Sequence, residues 1–223
     1  MATYYTNVRT EIAPMLTAPV GVVLEVGCAA GGTLRWLKEE FGASRTVGVE
    51  INEKLGDEVR SNADIALIGD GASTERAEEH GPYDLILFMD VLEHLTDPWG
   101  TLLAYRALLA PAGRIIICVP NVGHYSVVLN LLMHKFDYQD EGIMDRTHLR
   151  FFSPSSARQL LEQAGLFSDY EIRLIWPTKR LTRLADKVFG KFALDFLTSQ
   201  YILRSAPLNQ RPENPLRETL WKA

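Results

Sequence analysis

The sequence predicts an α/β fold, a doubly wound and mostly parallel sheet with helices on both faces. Three observations carry that expectation. Short β-branched runs alternate with longer segments of helical period over the first 120 residues. Those runs are apolar almost without a break, whereas a half-exposed antiparallel strand would alternate. The first four also stop at glycine or a carboxylate, residue types suited to the ligand-binding carboxyl edge of such sheets.

In chain order, Val22–Val26 is the first predicted strand, ending at Gly27, and Leu34, Leu37 and Phe41 follow at helical spacing. Thr46–Glu50 and Ile65–Ile68 are the second and third strands. Leu85–Met89 is the fourth, with Tyr83 and Asp84 leading in. Leu102, Leu103, Leu108 and Leu109 belong to a helix that stops at Pro111, and Pro111-Ala112-Gly113 turns the chain into a fifth strand, Arg114–Val119. Ser153 caps a further helix with Pro154 in its first turn and Gly165 at its end. Two late strands are expected near Tyr170–Ile175 and Gln200–Ser205.

The organisation is one domain over residues 1–223: an N-terminal helix within 1–20, a polar cap over 120–152, an amphipathic helical insertion over 177–197 and an irregular tail from 207. Within the insertion, Leu181, Leu184, Val188, Phe189, Phe192 and Phe196 share one helical side, and Lys179, Arg180, Arg183, Lys187 and Lys191 supply much of the other. That pattern fits a helix packed on its own domain with a solvated basic face, or a helix lying on a membrane surface or partner. Gly190 leaves both open.

Composition narrows the function. The chain has 47% apolar and 23% charged residues, as ordinary globular proteins do. Twenty-eight acidic against 23 basic residues give a net charge of −5, which disfavours nucleic acid as a partner. Two cysteines cannot build a disulfide framework and suit a reducing compartment. The first thirty residues lack a signal-peptide apolar core, and no apolar run approaches the ~20 residues that span a bilayer. A cytoplasmic protein is expected, membrane-associated if the basic insertion meets lipid. The sequence carries no signature of oligomeric state.

The most informative stretch is VLEVGCAAGG, Val23 to Gly32. A glycine-rich turn between a first strand and first helix lets a ligand approach the backbone. A nicotinamide or flavin site wants glycine in the middle of that turn, and Ala29 stands there. Glu25, two residues before Gly27, would repel a pyrophosphate but suits a cationic ligand. Glu50, at the end of the second strand, can accept both hydroxyls of a ribose. Asp70 follows the third strand in IGDGA, and Asp90 the fourth in FMDVLEHLTDP. Four successive strand-end acids around one glycine turn point to a single ligand with several donor groups.

These motifs resemble those of class I S-adenosylmethionine-dependent methyltransferases over roughly residues 20–120. VLEVGCAAGG is similar to the family's first motif, VGVEIN to the second, IGDGA to the adenine-side motif and YDLILFMDVLEHLTDP to the fourth-strand motif. The resemblance implies a Rossmann-like, seven-stranded sheet with an antiparallel last strand, and S-adenosylmethionine as cofactor. It puts Gly27, Cys28, Ala29 and Gly31 along the methionine moiety, Glu50 on the ribose, and Ile51 against the adenine face. Asp70 and Gly71 fall at the adenine, and Met89 or Asp90 near the amino group. Tyr5 and Arg9 fall where related chains carry an aromatic and a basic residue; Arg9 either pairs with the cofactor carboxylate or lies on a surface helix. His94 joins this set by orienting a loop. Cys28 and Cys118 lack metal-ligand spacing, and no Mg²⁺ or Zn²⁺ constellation is evident in the sequence.

On the acceptor side, His124 in PNVGHY and His148 in DRTHLRFF are the candidate general bases. The alternative for both is a hydrogen-bonding role that holds the cap. Arg150 can bind an anionic acceptor or pair with Asp145, and His134 ends a helix. These motifs are similar to a bacterial branch that includes ubiquinone-type O-methyltransferases, polysaccharide-pathway methyltransferases and methionine-biosynthesis partner proteins. The expected function is O-methylation of a small-molecule, sugar or lipid-linked hydroxyl. The rivals are a non-catalytic, cofactor-binding partner of a metabolic enzyme and, more remotely, a nicotinamide-dependent oxidoreductase.

Overall fold

The computed structural model describes residues 7–175 and 194–210 and the backbone of 217–222. Its centre is one mixed sheet. The strands are β1 (Gly21–Val26), β2 (Ala43–Glu50), β3 (Ile65–Ile68), β4 (Tyr83–Met89), β5 (Leu109–Pro120), β6 (Ser168–Ile175), β7 (Thr198–Ser205) and β8 (Arg217–Lys222). Their spatial order is β3-β2-β1-β4-β5-β7-β6-β8. Only β7 runs against its neighbours, β5 and β6; every other pairing is parallel.

The unbroken apolar runs are explained by two cores. Successive residues of a strand face opposite sides of the sheet, and here both sides are covered. Leu24, Val26, Ile86, Phe88, Ile115 and Ile117 face one core. It is closed by Leu102 and Tyr105 of α4 (Pro98–Arg106) and Leu160 and Leu161 of α6 (Pro154–Gln163). Val23, Leu85, Leu87, Ile116 and Cys118 face the other core. Leu34 and Leu37 of α1 (Gly32–Phe41) and Val59 of α2 (Gly56–Asn62) close that one. Two further helices are α3 (Glu75–Glu78) and α5 (Tyr125–Leu132).

Close approach fixes residue identity at Gly48. A β-carbon there would lie 2.7 Å from Cys28 Sγ and 3.0 Å from Leu34 Cδ1, so α1 and the turn before it sit directly on β2. Cys28 is therefore a packing residue, and burial pushes its thiol far up. At α6, Ser153 Oγ accepts from the Ser156 amide while Ser156 Oγ accepts from the Ser153 amide, a reciprocal cap.

Several expectations need correction. The N-terminal helix is a short 3-10 helix, Thr10–Met15, among the described residues. Helix α4 ends at Arg106, and Leu109 already pairs with Tyr83, so Pro111–Gly113 lie within a bulged start of β5 rather than in a turn. The tail is not wholly irregular: β8 adds to β6 as an eighth, edge strand beyond the expected seven. Its recruitment is a pairing with an open sheet edge, which leaves no trace in local periodicity. Most of the amphipathic insertion, residues 176–193, lies outside the described residues. Among the described residues no helix is long and apolar enough to cross a membrane.

Strand order places the ligand edge. The sheet reverses direction of winding at β1, which has β2 on one side and β4 on the other. The crevice at the carboxyl ends of β1 and β4 is where ligands of such sheets bind.

Candidate functional site

The turn after β1 is shaped by three left-handed residues, Gly27 (φ +69°), Ala29 (φ +49°) and Gly31 (φ +78°). The Gly27 and Cys28 amides donate to the Val49 carbonyl at 2.8 and 3.0 Å, which ties the turn to β2. At Gly27 a β-carbon would lie 2.5 Å from Val91 Cγ2, so the fourth-strand loop sits against this turn. Ala29 holds a conformation that costs an L-residue roughly 1 kcal/mol. Glu50 supports it: Oε2 accepts from the Ala29 amide at 2.8 Å, and Oε1 from the Asn52 amide at 2.9 Å.

Beneath the turn, Glu25 is buried and its Oε2 has no hydrogen-bond partner. Burial lifts its carboxyl to about 8; Arg9 and the Thr33 hydroxyl pull against that, while Glu50 adds to it. A protonated acid in this position ionises readily when a cation arrives. Next to Glu50, Ile51 is 69% exposed, an apolar side chain facing solvent at the rim. Asp70 is exposed beyond β3, with Oδ1 accepting from the Ala72 amide at 2.8 Å. Gly71 lies close over β1: a β-carbon would come 2.6 Å from Val26 Cγ1.

At the end of β4, Met89 is buried and Asp90 is left-handed at φ +58°. The Asp90 carboxylate is held from two distant parts of the chain. Arg9 Nη1 donates to Oδ2, and Gln200 Nε2 of β7 donates to Oδ1 at 2.7 Å. Arg9 is buried, so the surface-helix alternative is wrong. Its guanidinium also donates to Glu11 Oε1 at 2.5 Å and to Cys118 Sγ at 3.1 Å. Tyr5 lies outside the described residues.

Asp90 opens onto a cavity of about 500 Å³. Glu93, His94, His124, Tyr125, Asp145 and His148 are among its lining residues. His94, grouped with the cofactor residues by sequence, lines this cavity together with Asp90. Its Nδ1 is 3.1 Å from Thr147 Oγ1 and 3.3 Å from the Thr147 carbonyl, and burial, then His148, lower its basicity. The His94 and His148 rings pack edge to face at 4.8 Å.

Hydrogen bonds set the two candidate bases apart. His148 Nδ1 lies 3.0 Å from the Ile143 carbonyl, which can only accept, so Nδ1 carries the proton and Nε2 keeps its lone pair. His124 is the N-cap of α5: its Nδ1 accepts from the Ser126 amide at 3.4 Å and faces Ser126 Oγ at 2.8 Å. The proton then sits on His124 Nε2, a buried atom without a partner. Burial also keeps His124 neutral. Arg150 does not pair with Asp145: it donates to the Thr96 carbonyl and lies over the Trp99 ring at 5.6 Å.

Sequence reasoning passed over two residues. Glu93 is 1% exposed, with neither carboxyl oxygen hydrogen-bonded, and burial, then Asp90, push its pKa well above the ordinary carboxyl range. An acid between Leu92 and His94 in a short apolar turn was the available signal. Gln200 had none, since it meets Asp90 across 110 residues. Ligand atoms of Glu93, His94 and His148 lie within 4.8 Å of one another, a grouping that can hold a cation and that sequence spacing did not reveal. A separate cavity of about 290 Å³ opens elsewhere, between Met15, Asp84 and Arg204.

Comparison with known proteins agrees with this arrangement. A family model described as a methyltransferase domain matches residues 2–167. A ubiquinone biosynthesis O-methyltransferase of Shewanella pealeana is 29% identical over 150 residues; the match covers 65% of this chain and only 63% of that relative's length. A protein of the same description from Hydrogenovibrio crunogenus is 27% identical over 187 residues, 79% of this chain and 75% of its own. An Archaeoglobus fulgidus S-adenosylmethionine-dependent methyltransferase superposes with a TM-score of 0.64 at 19% identity, over 89% of this chain and 91% of that one. One from Mesorhizobium loti gives 0.59 at 16% identity, over 88% and 95%. At such identities the structures establish a shared fold. Neither the regulatory nor the nicotinamide rival gains support from these likenesses. Matched through its first strand turn, its strand-end acids and its cap, the chain belongs to the methyltransferase domain family.

Proposed function

We propose that the protein is an S-adenosylmethionine-dependent methyltransferase acting on a hydroxyl of a small-molecule or glycan acceptor. One observation carries the reading: a buried Glu25 oxygen without a partner beneath an open, left-handed turn, flanked by Glu50 and Asp90. The residues fit the cofactor. Glu25 and Asp90 suit its cationic end, Arg9 its carboxylate, Glu50 the ribose hydroxyls, and exposed Ile51 and Asp70 the adenine. A diphosphate would meet Glu25 unfavourably.

When bound, S-adenosylmethionine supplies a methyl group already activated on a sulfonium. The chain's own work is then to align the acceptor, worth up to roughly 7–11 kcal/mol in well-oriented reactions, and to remove a proton. His148 Nε2 is the atom suited to take the hydroxyl proton, because its Nδ1 is committed to Ile143. His124 Nε2–H suits donation to the acceptor instead. The relatives' description as O-methyltransferases supports oxygen as the methylated atom. The cavity is lined by Asn130, Gln139, Ser199 and Gln200 beside the acids and histidines, and by Val127, Ile143 and Met144, so polar and apolar surface are mixed. Its polar groups suit a hydroxyl-bearing acceptor.

Calorimetry with S-adenosylmethionine and S-adenosylhomocysteine tests the reading. Binding of both is expected; binding of neither at millimolar concentration rejects it.

A further inference from the structure

We infer that the cavity beside Asp90 accepts an uncharged, hydroxyl-rich acceptor, with Glu93 as a hydrogen-bonding partner of its hydroxyls, and excludes one bearing a carboxylate or phosphate next to the reacting hydroxyl. This rests on the methyltransferase reading and narrows its acceptor. The first support is charge. Asp90, Glu141 and Asp145 line the cavity beside Glu93, whose burial disfavours its charged form, and among the described residues no lysine or arginine does. Arg9, which pairs with Asp90 and Glu11, does not line the cavity. Arg146 pairs with Asp140, and Arg150 with Thr96 and Trp99. An anionic group entering here meets carboxylates and finds no described counter-charge, a repulsive element of the kind that sets specificity.

The second support is a set of unpaired polar atoms. Both carboxyl oxygens of Glu93 and Nε2 of His124 are buried without partners, and both residues line this one cavity. Buried polar atoms without partners are costly and uncommon in folded proteins. Glu93 is also fixed in place, since its carbonyl accepts the amides of Leu149 at 2.8 Å and Arg150 at 3.0 Å. A carboxyl group with no fixed donor facing it is matched by a hydroxyl, which can both give and accept a hydrogen bond. At about 500 Å³ the cavity lies in the size range of small-ligand sites and has room for a monosaccharide ring.

The test is saturation-transfer NMR on protein loaded with S-adenosylhomocysteine. The probes are the methyl glycosides of glucose, galactose, mannose and rhamnose, beside those of glucuronic and galacturonic acid, all in the presence of a chelator. At least one neutral glycoside should bind, and its uronate counterpart should bind at least about tenfold more weakly. Glu93→Gln, which keeps the shape and hydrogen-bonding capacity of a neutral acid, should retain that binding. Glu93→Leu should weaken it by about tenfold or more, at unchanged affinity for S-adenosylhomocysteine. Should Glu93→Leu not fold, the neutral-versus-uronate comparison on the native chain decides alone. Uronates binding as well as their neutral parents, no glycoside binding to cofactor-loaded protein, or full binding by a folded Glu93→Leu variant overturns the inference. So does uronate binding that appears with Mg²⁺ or Zn²⁺ and vanishes with chelator, because a cation among Glu93, His94 and His148 would then set the charge. Failure to bind S-adenosylhomocysteine at all would instead remove the methyltransferase reading underneath.

Discussion

Glu25 holds a proton at neutral pH because burial favours its uncharged form, and that makes the turn sensitive to pH. Its folded value of about 8 stands above the ordinary 4.5, so the folded protein binds one more proton than the unfolded chain between those limits. Stability without ligand should therefore fall as pH rises through that window. A cationic ligand reverses the preference by favouring the carboxylate. Affinity for S-adenosylmethionine should accordingly rise from roughly pH 6 to 8, and Glu25→Gln should flatten the profile; a profile equally steep in the variant would remove Glu25 from the site. Glu50 makes a sharper case, because its carboxylate supports Ala29 and is the group proposed for the ribose hydroxyls. Glu50→Ala should weaken binding of S-adenosylhomocysteine by about 10- to 100-fold in calorimetry, the worth of one or two bonds to a charged group. Among the histidines, His148→Gln should lower turnover by roughly 10²–10⁴-fold once an acceptor is in hand. His124→Ala should cost about 1 kcal/mol of stability as a lost helix cap, read from the urea midpoint.

Elements in this fold are fixed by contact rather than by propensity alone. Strand β2 carries Gly48 where the Cys28 thiol, Leu34 and Val59 converge, and a β-carbon there would lie 2.7 to 3.1 Å from all three. Gly48→Ala should therefore destabilise by about 1–3 kcal/mol through overpacking, measured by urea unfolding; an unchanged midpoint would mean that α1 shifts freely on β2. Helix α6 is the element most plainly announced by sequence, since Ser153 and Pro154 set its start and Gly165, at φ +69°, its end. Ser153→Ala should cost about 1 kcal/mol. Helical spacing of Leu108 and Leu109 carries the predicted helix before β5 at least three residues past Arg106, where α4 ends. Pairing of Leu109 with Tyr83 decides the boundary instead.

Over the whole molecule, stability should be graded outward from the centre of the sheet. Strands β1, β4 and β5 are flanked on both sides and buried on both faces, while β3 has four residues and an open edge. Amide exchange should be slowest in β1, β4 and β5 and clearly faster in β3; equal protection across the sheet would contradict this core assignment. The same architecture brings the functional groups together. Arg9, before the first strand, Asp90, after the fourth, and Gln200, on the seventh, meet at one carboxylate. The acceptor cavity is likewise assembled from the loop after β4, the start of α5, the chain around residues 139–148 and the start of β7.

The sequence by itself determined the parallel sheet, the glycine turn and the four strand-end acids. Each is a local pattern of two to ten residues, tied to backbone geometry that neighbouring residues alone impose. It could not determine the protonated state of Glu25, the isolation of Glu93, the tautomers of His124 and His148, or the eighth strand. Those depend on burial and on partners far away in the chain: Ile143 for His148, Gln200 for Asp90, the open edge of β6 for β8. Desolvation and hydrogen-bond partnership exist only once the chain has closed around a group, and so the tertiary structure alone decided them.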